Sequence, residues 1–221
     1  MPEPVKYSGP HAGLILAGGR GSRMGGGDKP LLPVGGRPML AHVIERLRPQ
    51  VERLVLNANG DPARFVQYGL PVVADTIEGF AGPLAGILAG MRWSSANLAE
   101  ARFMVSAAAD TPFFPTDLVA RLAAGCGRYE DTIAIAASPA GAHPVFGLWP
   151  VALADDLEQF LATGESGKIL AFADRHRRVN VPFDEIALPG GRTVDPFFNV
   201  NTPEDAAKAE HIAIALEERV A

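Results

Sequence analysis

The hydrophobic residues of this chain fall into short runs that alternate between two periods. Ala12–Leu16 is an unbroken apolar run of a length that suits a strand covered on both faces. Pro38–Leu47 (PMLAHVIERL) carries its apolar residues at helical spacing and ends before Pro49, which cannot continue a helix. Arg53–Leu56 (RLVL) reads as a second strand, Pro62–Tyr68 as a short helix, and Pro71–Ala74 (PVVA) as a third strand running into Asp75. A helix over Pro83–Trp93 follows Gly82, then a strand over Arg102–Ser106 directed toward Asp110, a helix over Thr116–Ala124 and a strand over Thr132–Ala136. Beyond this fifth strand the alternation weakens. His143–Trp149 and Arg177–Val181 are strand candidates, Val151–Leu161 and Lys168–Ala173 helix candidates, and Thr202–Glu218 a closing helix.

Strands that alternate with helices in this way predict an α/β fold: a three-layer α/β/α arrangement whose mostly parallel sheet is covered on both faces and joined by right-handed crossovers. In such sheets ligands bind outside the carboxyl ends of the strands. The polar groups fall there. Leu16-Ala17-Gly18-Gly19 follows the first strand, Asn57-Ala58-Asn59 the second, Asp75 the third and Asp110 the fourth. No repeat, low-complexity tract or linker interrupts the chain. The expected organisation is a flexible arm over 1–10 and a single domain over 11–221.

Composition narrows the possibilities. The chain has 221 residues, 48% of them apolar, enough for one domain with a substantial core. A net charge of −5 without a long basic run argues against a nucleic-acid surface. The single cysteine, Cys126, excludes an intrachain disulfide and suits a reducing, cytoplasmic setting. No histidine lies near it in sequence to support a catalytic thiol, and the five histidines show no metal-ligand spacing. The N-terminus has no apolar signal core and no run reaches about 18 apolar residues, so neither export nor a membrane partner is expected.

The strongest local feature is Leu16–Leu32, LAGGRGSRMGGGDKPLL. Glycines let backbone N–H groups approach phosphate oxygens, and Arg20, Arg23 and Lys29 supply positive charge. The loop points to a nucleoside triphosphate. Spacing excludes two other phosphate loops. Met24 stands where the dinucleotide fingerprint needs its last glycine, and Gly27-Asp28-Lys29-Pro30 fails the Walker pattern. The later Gly164-Glu165-Ser166-Gly167-Lys168 also misses the Walker pattern, with Ala162 and Ile169 at two required positions, so Lys168 reads as a loop or helix-start lysine.

The arrangement LAGG-x-x-x-RMGG-x-DK-x-LL resembles the signature of nucleotidyltransferases, and most closely the molybdenum cofactor guanylyltransferases. Gly82-Pro83-Leu84-Ala85-Gly86, the Asp110-Thr111-Pro112 run, His143-Pro144 and Phe198-Asn199-Val200-Asn201-Thr202-Pro203-Glu204-Asp205 resemble further segments of that family. The resemblance spans Leu16 to Asp205. It implies a Rossmann-like nucleotidyltransferase sheet and transfer of GMP from GTP to the terminal phosphate of Mo-molybdopterin, with release of pyrophosphate. It places nucleotide contacts on Leu16, Ala17, Gly18, Lys29, Asn57, Asp75 and Asp110. Asp110 is the metal ligand expected for Mg2+, with Mn2+ as an alternative, and Lys29, Arg23 and Asp110 carry the catalytic charge. Asn199 and Asn201 share one face of an extended segment and are proposed to meet the pterin or the outer shell of the metal. His143 joins them as an acceptor contact. The domain then divides into a GTP-binding N-terminal half and a pterin-binding C-terminal half. Further candidate partners are molybdopterin-insertion proteins and molybdoenzyme chaperones.

Other roles stay open for several of these residues. Asp110 could cap a helix near Pro112 or Pro115, and Lys29 could pair with Asp28 or another acid. Asn57 and Asp75 could be turn formers, and Asp75 could meet base or ribose. Thr202, Pro203 and Asp205 form a capping-box pattern that needs no function, and His143 could simply pack. Alternative activities are cytidylyl transfer to the same pterin, nucleotidyl transfer to a sugar phosphate, or non-enzymatic carriage of the cofactor.

Overall fold

The computed structural model describes residues 11–18, 28–77, 82–164 and 168–217. Seven strands share one sheet: β1 (His11–Leu16), β2 (Arg53–Asn57), β3 (Val72–Val73), β4 (Phe103–Ala108), β5 (Thr132–Ser138), β6 (Gly141–Pro150) and β7 (Arg177–Pro182). Their order is β3-β2-β1-β4-β6-β5-β7. All neighbours pair in parallel except β6, which runs antiparallel to both β4 and β5. The helices are α1 (Met39–Leu47), α2 (Pro83–Asn97), α3 (Leu118–Cys126), α4 (Ala154–Ala162), α5 (Ile169–Ala173) and α6 (Pro203–Glu217).

Pleating sends alternate residues of each strand to opposite faces, and both faces are covered. Ile15, Leu56, Val105 and Ala134 pack beneath α1 (Leu40, Val43, Leu47) and α3 (Leu118, Leu122, Cys126). Leu14, Val55, Met104 and Ile133 pack on the other face against α2 (Ile87, Leu88, Met91), α4 (Leu157, Phe160) and α5 (Ile169, Phe172). This double covering is why the strands read as continuous apolar runs rather than alternating ones. A third cluster joins α6 (Ala209, Ile212, Ala213) to Val34, Met39, Phe113 and Val200, and so brings the chain's end to the segment that follows Lys29. Gly35 N–H donates to Glu210 Oε2 at 2.6 Å across the same junction.

The departures from the sequence reading have local causes. Pro62–Tyr68 is a 3-10 helix, and Val151–Leu161 divides into a 3-10 turn over Val151–Leu153 followed by α4. The helix after Gly82 runs four residues past Trp93 to Asn97, where Ser94, Ser95 and Asn97 bond back to carbonyls one turn earlier. The weakened alternation after β5 marks a hairpin with no helix between its strands: Gly141, at φ 125°, begins β6 directly behind Ser138-Pro139-Ala140.

Register shows where β6 departs from a regular ladder. Ile135 pairs with Gly147 but Ala136 pairs with His143, so Pro144–Phe146 bulges out of the ladder with β5. A bulge accommodates Pro144, which has no N–H to donate, and it re-aims His143 at the sheet edge. The bulge is held from inside the core. Ser106 Oγ donates to the Val145 carbonyl at 2.5 Å and accepts from the fully buried Trp149 Nε1–H at 2.8 Å. Ser106→Ala leaves both groups without this partner. The expected loss is about 2–4 kcal/mol of unfolding free energy in denaturant titration. A loss below about 0.5 kcal/mol would show that the bulge does not depend on this hydroxyl.

Candidate active site at the carboxyl edge of the sheet

β1 ends between two neighbours that hold its continuation. Ala17 N–H donates to the Asn57 carbonyl at 2.9 Å, and Ala109 N–H donates to the Leu16 carbonyl at 3.0 Å. Gly18 is exposed just beyond. Leu16, Ala17 and Gly18 therefore emerge at the junction of β2 and β4, next to the residues singled out after those strands. Arg23 and Arg20 lie outside the described residues, as do 78–81 ahead of the Gly82-Pro83 helix start.

Beyond β2 and β3, three side chains form one polar cluster. Asn57, almost fully buried, donates through Nδ2 to the Val73 carbonyl at 3.2 Å and to Asp75 Oδ1 at 3.0 Å. Asn59 Nδ2 donates to Asp75 Oδ2 at 2.7 Å, while its Oδ1 accepts from the Asp75 N–H at 2.9 Å. The carboxylate is fixed by two amides from another strand end, so Asn57 and Asp75 bond between strand ends and not within local turns. A half-buried carboxylate with one bond on each oxygen still has lone pairs for further donors. Asn59 completes this cluster. Its place in the Asn57-Ala58-Asn59 run was visible in the sequence, but its reciprocal pairing with Asp75 was not.

Gly86 makes this arrangement possible. A Cβ there would lie 2.5 Å from Leu16 Cδ2 and collide with Asn57 Oδ1, so the first turns of α2 sit directly against the Asn57 amide. The glycine of the Gly82–Gly86 segment serves as a close-approach position as well as part of a helix start.

The second cluster lies beyond β4. Lys29 Nζ donates to Asp110 Oδ2 at 2.5 Å and to Asn201 Oδ1 at 2.6 Å, and Thr111 Oγ1 is 3.4 Å from Asp110 Oδ1. Asp110 does not cap a helix, since α3 begins only at Leu118. The pairing of Lys29 with an acid is realised with Asp110, while Asp28 pairs with Arg64. Val200 N–H donates to the Asp110 carbonyl at 3.0 Å, which seats the Asn199–Asn201 segment beside β4. Val200 is buried while Asn199 and Asn201 are exposed, as the alternation predicts. Asn201, expected to meet the pterin or the outer shell of the metal, bonds Lys29 beside Asp110.

A capping box holds that segment in place. Asp205 Oδ2 accepts from the N–H groups of Asn201 and Thr202, both at 3.0 Å, and Asp205 N–H donates to Thr202 Oγ1 at 3.1 Å. The Asn201 N–H, foremost among these bonds, holds the Asp205 carboxyl below the usual carboxylate range. The box is thus intact at neutral pH and is lost only on acidification past that lowered value.

The third cluster surrounds His143. Ser138 Oγ donates to Asp195 Oδ2 at 2.5 Å, and His143 Nε2 lies 2.7 Å from Ser138 Oγ and 3.6 Å from Asp195 Oδ2. With the serine proton committed to Asp195, Nε2 is the donor and Nδ1 is left for other partners. The ring also packs on Phe197 at 4.5 Å between centroids. Burial pushes the His143 pKa down, with Asp195 opposing. His143 thus packs and hydrogen-bonds at once. Ser138 and Asp195 carry no motif that marks them; the β5–β6 hairpin brings Ser138 to His143, and Asp195 joins from a segment 57 residues beyond Ser138.

The donors around Lys29 suit a hard cation. A carboxylate oxygen and an amide oxygen converge on one positive group, and a divalent ion bound by one carboxylate would fill its remaining positions with phosphate oxygens and water. Among the described residues no group of three or more His, Cys, Asp or Glu side chains converges. Cys126 is buried at the end of α3, where burial pushes its thiol up to about 12. Lys168 precedes α5, in keeping with a helix-start lysine. Among the described residues no helix is long and apolar enough to cross a membrane.

Comparison with known proteins bears on this geometry. A family model described as the MobA-like NTP transferase domain matches residues 13–179. A molybdenum cofactor guanylyltransferase from Bradyrhizobium sp. (strain ORS 278) is 53% identical over 94% of this chain and 94% of its own length. Another, from Mesorhizobium japonicum, is 49% identical over 91% of this chain and 95% of its own. Among solved structures, molybdopterin-guanine dinucleotide biosynthesis protein A from Archaeoglobus fulgidus superimposes with a TM-score of 0.71 at 24% identity. That match covers 92% of this chain and 98% of the other. The solved structure shares the fold, a mostly parallel sheet flanked by helices.

Gly86→Ala is expected to force the Asn57 amide away from Asp75 and to cost about 1–3 kcal/mol of stability, the usual range for overpacking. Chemical denaturation measures the loss, and carboxamide NMR signals report the displaced amide. Unchanged stability with an unmoved Asn57 signal would show that the helix yields at no cost and that Gly86 is not needed for close approach.

Proposed function

This chain belongs to the MobA-like NTP transferase family, and on that premise we propose that it transfers GMP from GTP to the terminal phosphate of Mo-molybdopterin, releasing pyrophosphate. The observation that carries this reading is the Lys29–Asp110–Asn201 contact beside the Asp75 cluster, at one edge of the sheet.

In this reading GTP lies across the ends of β1, β2 and β4. Backbone groups of Leu16, Ala17 and Gly18 face the nucleotide, in line with the exposed end of β1. The Asp75 carboxylate, held by Asn57 and Asn59, accepts hydrogen bonds from guanine N1–H and N2–H₂ or from ribose hydroxyls. Lys29 exchanges Asp110 for phosphate oxygens when the nucleotide binds, and Arg23 adds charge from the glycine-rich loop. Asp110 and Asn201 would hold the divalent ion, Mg2+ or alternatively Mn2+, which when bound offsets phosphate charge. Asn199 and His143 face the acceptor, with Nδ1 of His143 available to it. The division into a GTP half and a pterin half is then joined at Asn201. The acceptor phosphate is already anionic at neutral pH, so the attacking oxygen needs no strong general base. What the site must supply is charge neutralisation and in-line placement of two large substrates.

Asp110→Ala is expected to cut pyrophosphate release by about a hundredfold or more at saturating magnesium, since it removes both the proposed metal ligand and the partner of Lys29. The variant should remain folded, with its melting temperature lowered by several degrees because Lys29 loses its carboxylate partner. Activity within about tenfold would remove Asp110 from the catalytic machinery.

A further inference from the structure

Arg64 occupies the 3-10 turn Pro62–Tyr68, away from every motif in the sequence. Its backbone is fixed on both sides. Asp61 caps the turn by accepting from Ala63 N–H at 2.9 Å, Phe65 is buried in the core, and Gly69 closes the turn in the left-handed region at φ 60°. The guanidinium lies 4.7 Å from the centroid of the Phe65 ring. From there one terminal nitrogen donates to Asp28 Oδ1, and the other to the Asn59 carbonyl at 2.6 Å.

These two acceptors belong to different parts of the site. Asp28 immediately precedes Lys29, and its carbonyl accepts from Leu31 N–H at 2.8 Å, so it sets the start of the turn that carries the lysine. Asn59 holds Asp75 through both atoms of its amide. A planar, rigid fork spans them, which a flexible ammonium cannot do. Arg64 and Asp28 are each about one-third exposed (32% and 33%), so the pair adds little to overall stability. Its consequence is local geometry.

We infer that Arg64 is a positioning residue that ties the Lys29 turn to the Asn59–Asp75 cluster, so that the phosphate end and the base end of a nucleoside triphosphate are bound as one unit. The inference rests on the nucleotide reading of the site. It makes Asp28 useful to a phosphate site despite its negative charge. By simple repulsion Asp28 would weaken phosphate binding; as the anchor of Arg64 it strengthens it. The two roles differ in sign, so they can be separated. Asp28 makes no side-chain cap bond in its own turn, so replacing it removes the tie to Arg64 without removing a cap.

The test uses the full chain and the variants Arg64→Lys, Asp28→Ala and the pair together. Calorimetry with inorganic tripolyphosphate and magnesium reads the phosphate end. Asp28→Ala is expected to weaken tripolyphosphate binding by about fivefold, Arg64→Lys by a similar factor, and the pair by no more than either alone. With GTP as substrate, Arg64→Lys should raise KM and lower kcat together and narrow the preference for GTP over CTP, while the melting temperature barely moves. Unchanged or tighter tripolyphosphate binding by Asp28→Ala, additive losses in the pair, or no tripolyphosphate binding by the unaltered protein would each overturn the inference. Tripolyphosphate binding that behaves as expected, in a protein with no preference for GTP over CTP, would instead overturn the guanylyl reading and leave the tie standing.

Discussion

The ammonium of Lys29 is the point on which the site is assembled. It bonds Asp110, 81 residues away, and Asn201, 172 residues away. Three segments meet there: the turn after the glycine-rich loop, the end of β4 and the start of α6. Hydrogen bonds to charged groups contribute about 1.5–3 kcal/mol each, and truncating one partner leaves the other charge uncompensated. The lysine and aspartate side chains are only 15% and 22% exposed, so solvent screens this pair less than the surface pairs elsewhere on the molecule. The arrangement is also chemically poised. A cation already stands between two oxygen donors, and a triphosphate with its counter-ion would need to exchange partners there without building new geometry.

The rest of the fold explains why these groups can be held so closely. Strands covered on both faces bury their side chains and end together at one edge, so short polar segments after β1, β2, β3 and β4 converge without long loops. Close packing of α2 on the sheet, possible at Gly86, presses the Asn57 amide toward Asp75. The capping box of α6 sets the backbone of Asn201, and the third hydrophobic cluster holds α6 against the segment that follows Lys29. Helix packing, helix capping and the sheet edge each supply one side of the same site.

Much of this was legible in the sequence, for identifiable reasons. β1, β2, β4 and β5 show as apolar runs because both faces of the sheet are buried there, while β3, a half-buried edge strand of two residues, shows only as the short Pro71–Ala74 run. Lys29 and Asp110 show because each stands in a motif with fixed spacing, and Asp75 because it directly follows the third strand. The capping box shows because Thr202 and Asp205 stand three residues apart before a helical pattern. The strand over His143–Trp149 showed, but its antiparallel pairing in a hairpin with β5 did not, because periodicity reports burial and not strand direction. Contacts between remote segments were equally silent. Asn201 reads as a partner of Asn199 along the chain, whereas its bond to Lys29 depends on how α6 docks. Arg64 is a lone arginine in a short turn, and Ser138 and Asp195 meet His143 through a hairpin and a remote segment that no motif marks.

Which group is moved, and onto what, is decided by incubating the purified protein and magnesium with Mo-molybdopterin and either GTP or CTP labelled at the α-phosphate, then following the label. Label from GTP is expected to enter a pterin dinucleotide as unlabelled pyrophosphate is released, with CTP slower by about a hundredfold, the discrimination expected if the Asp75 cluster hydrogen-bonds guanine. Equal incorporation from CTP, or pyrophosphate release with no label on the pterin, would contradict guanylyl transfer.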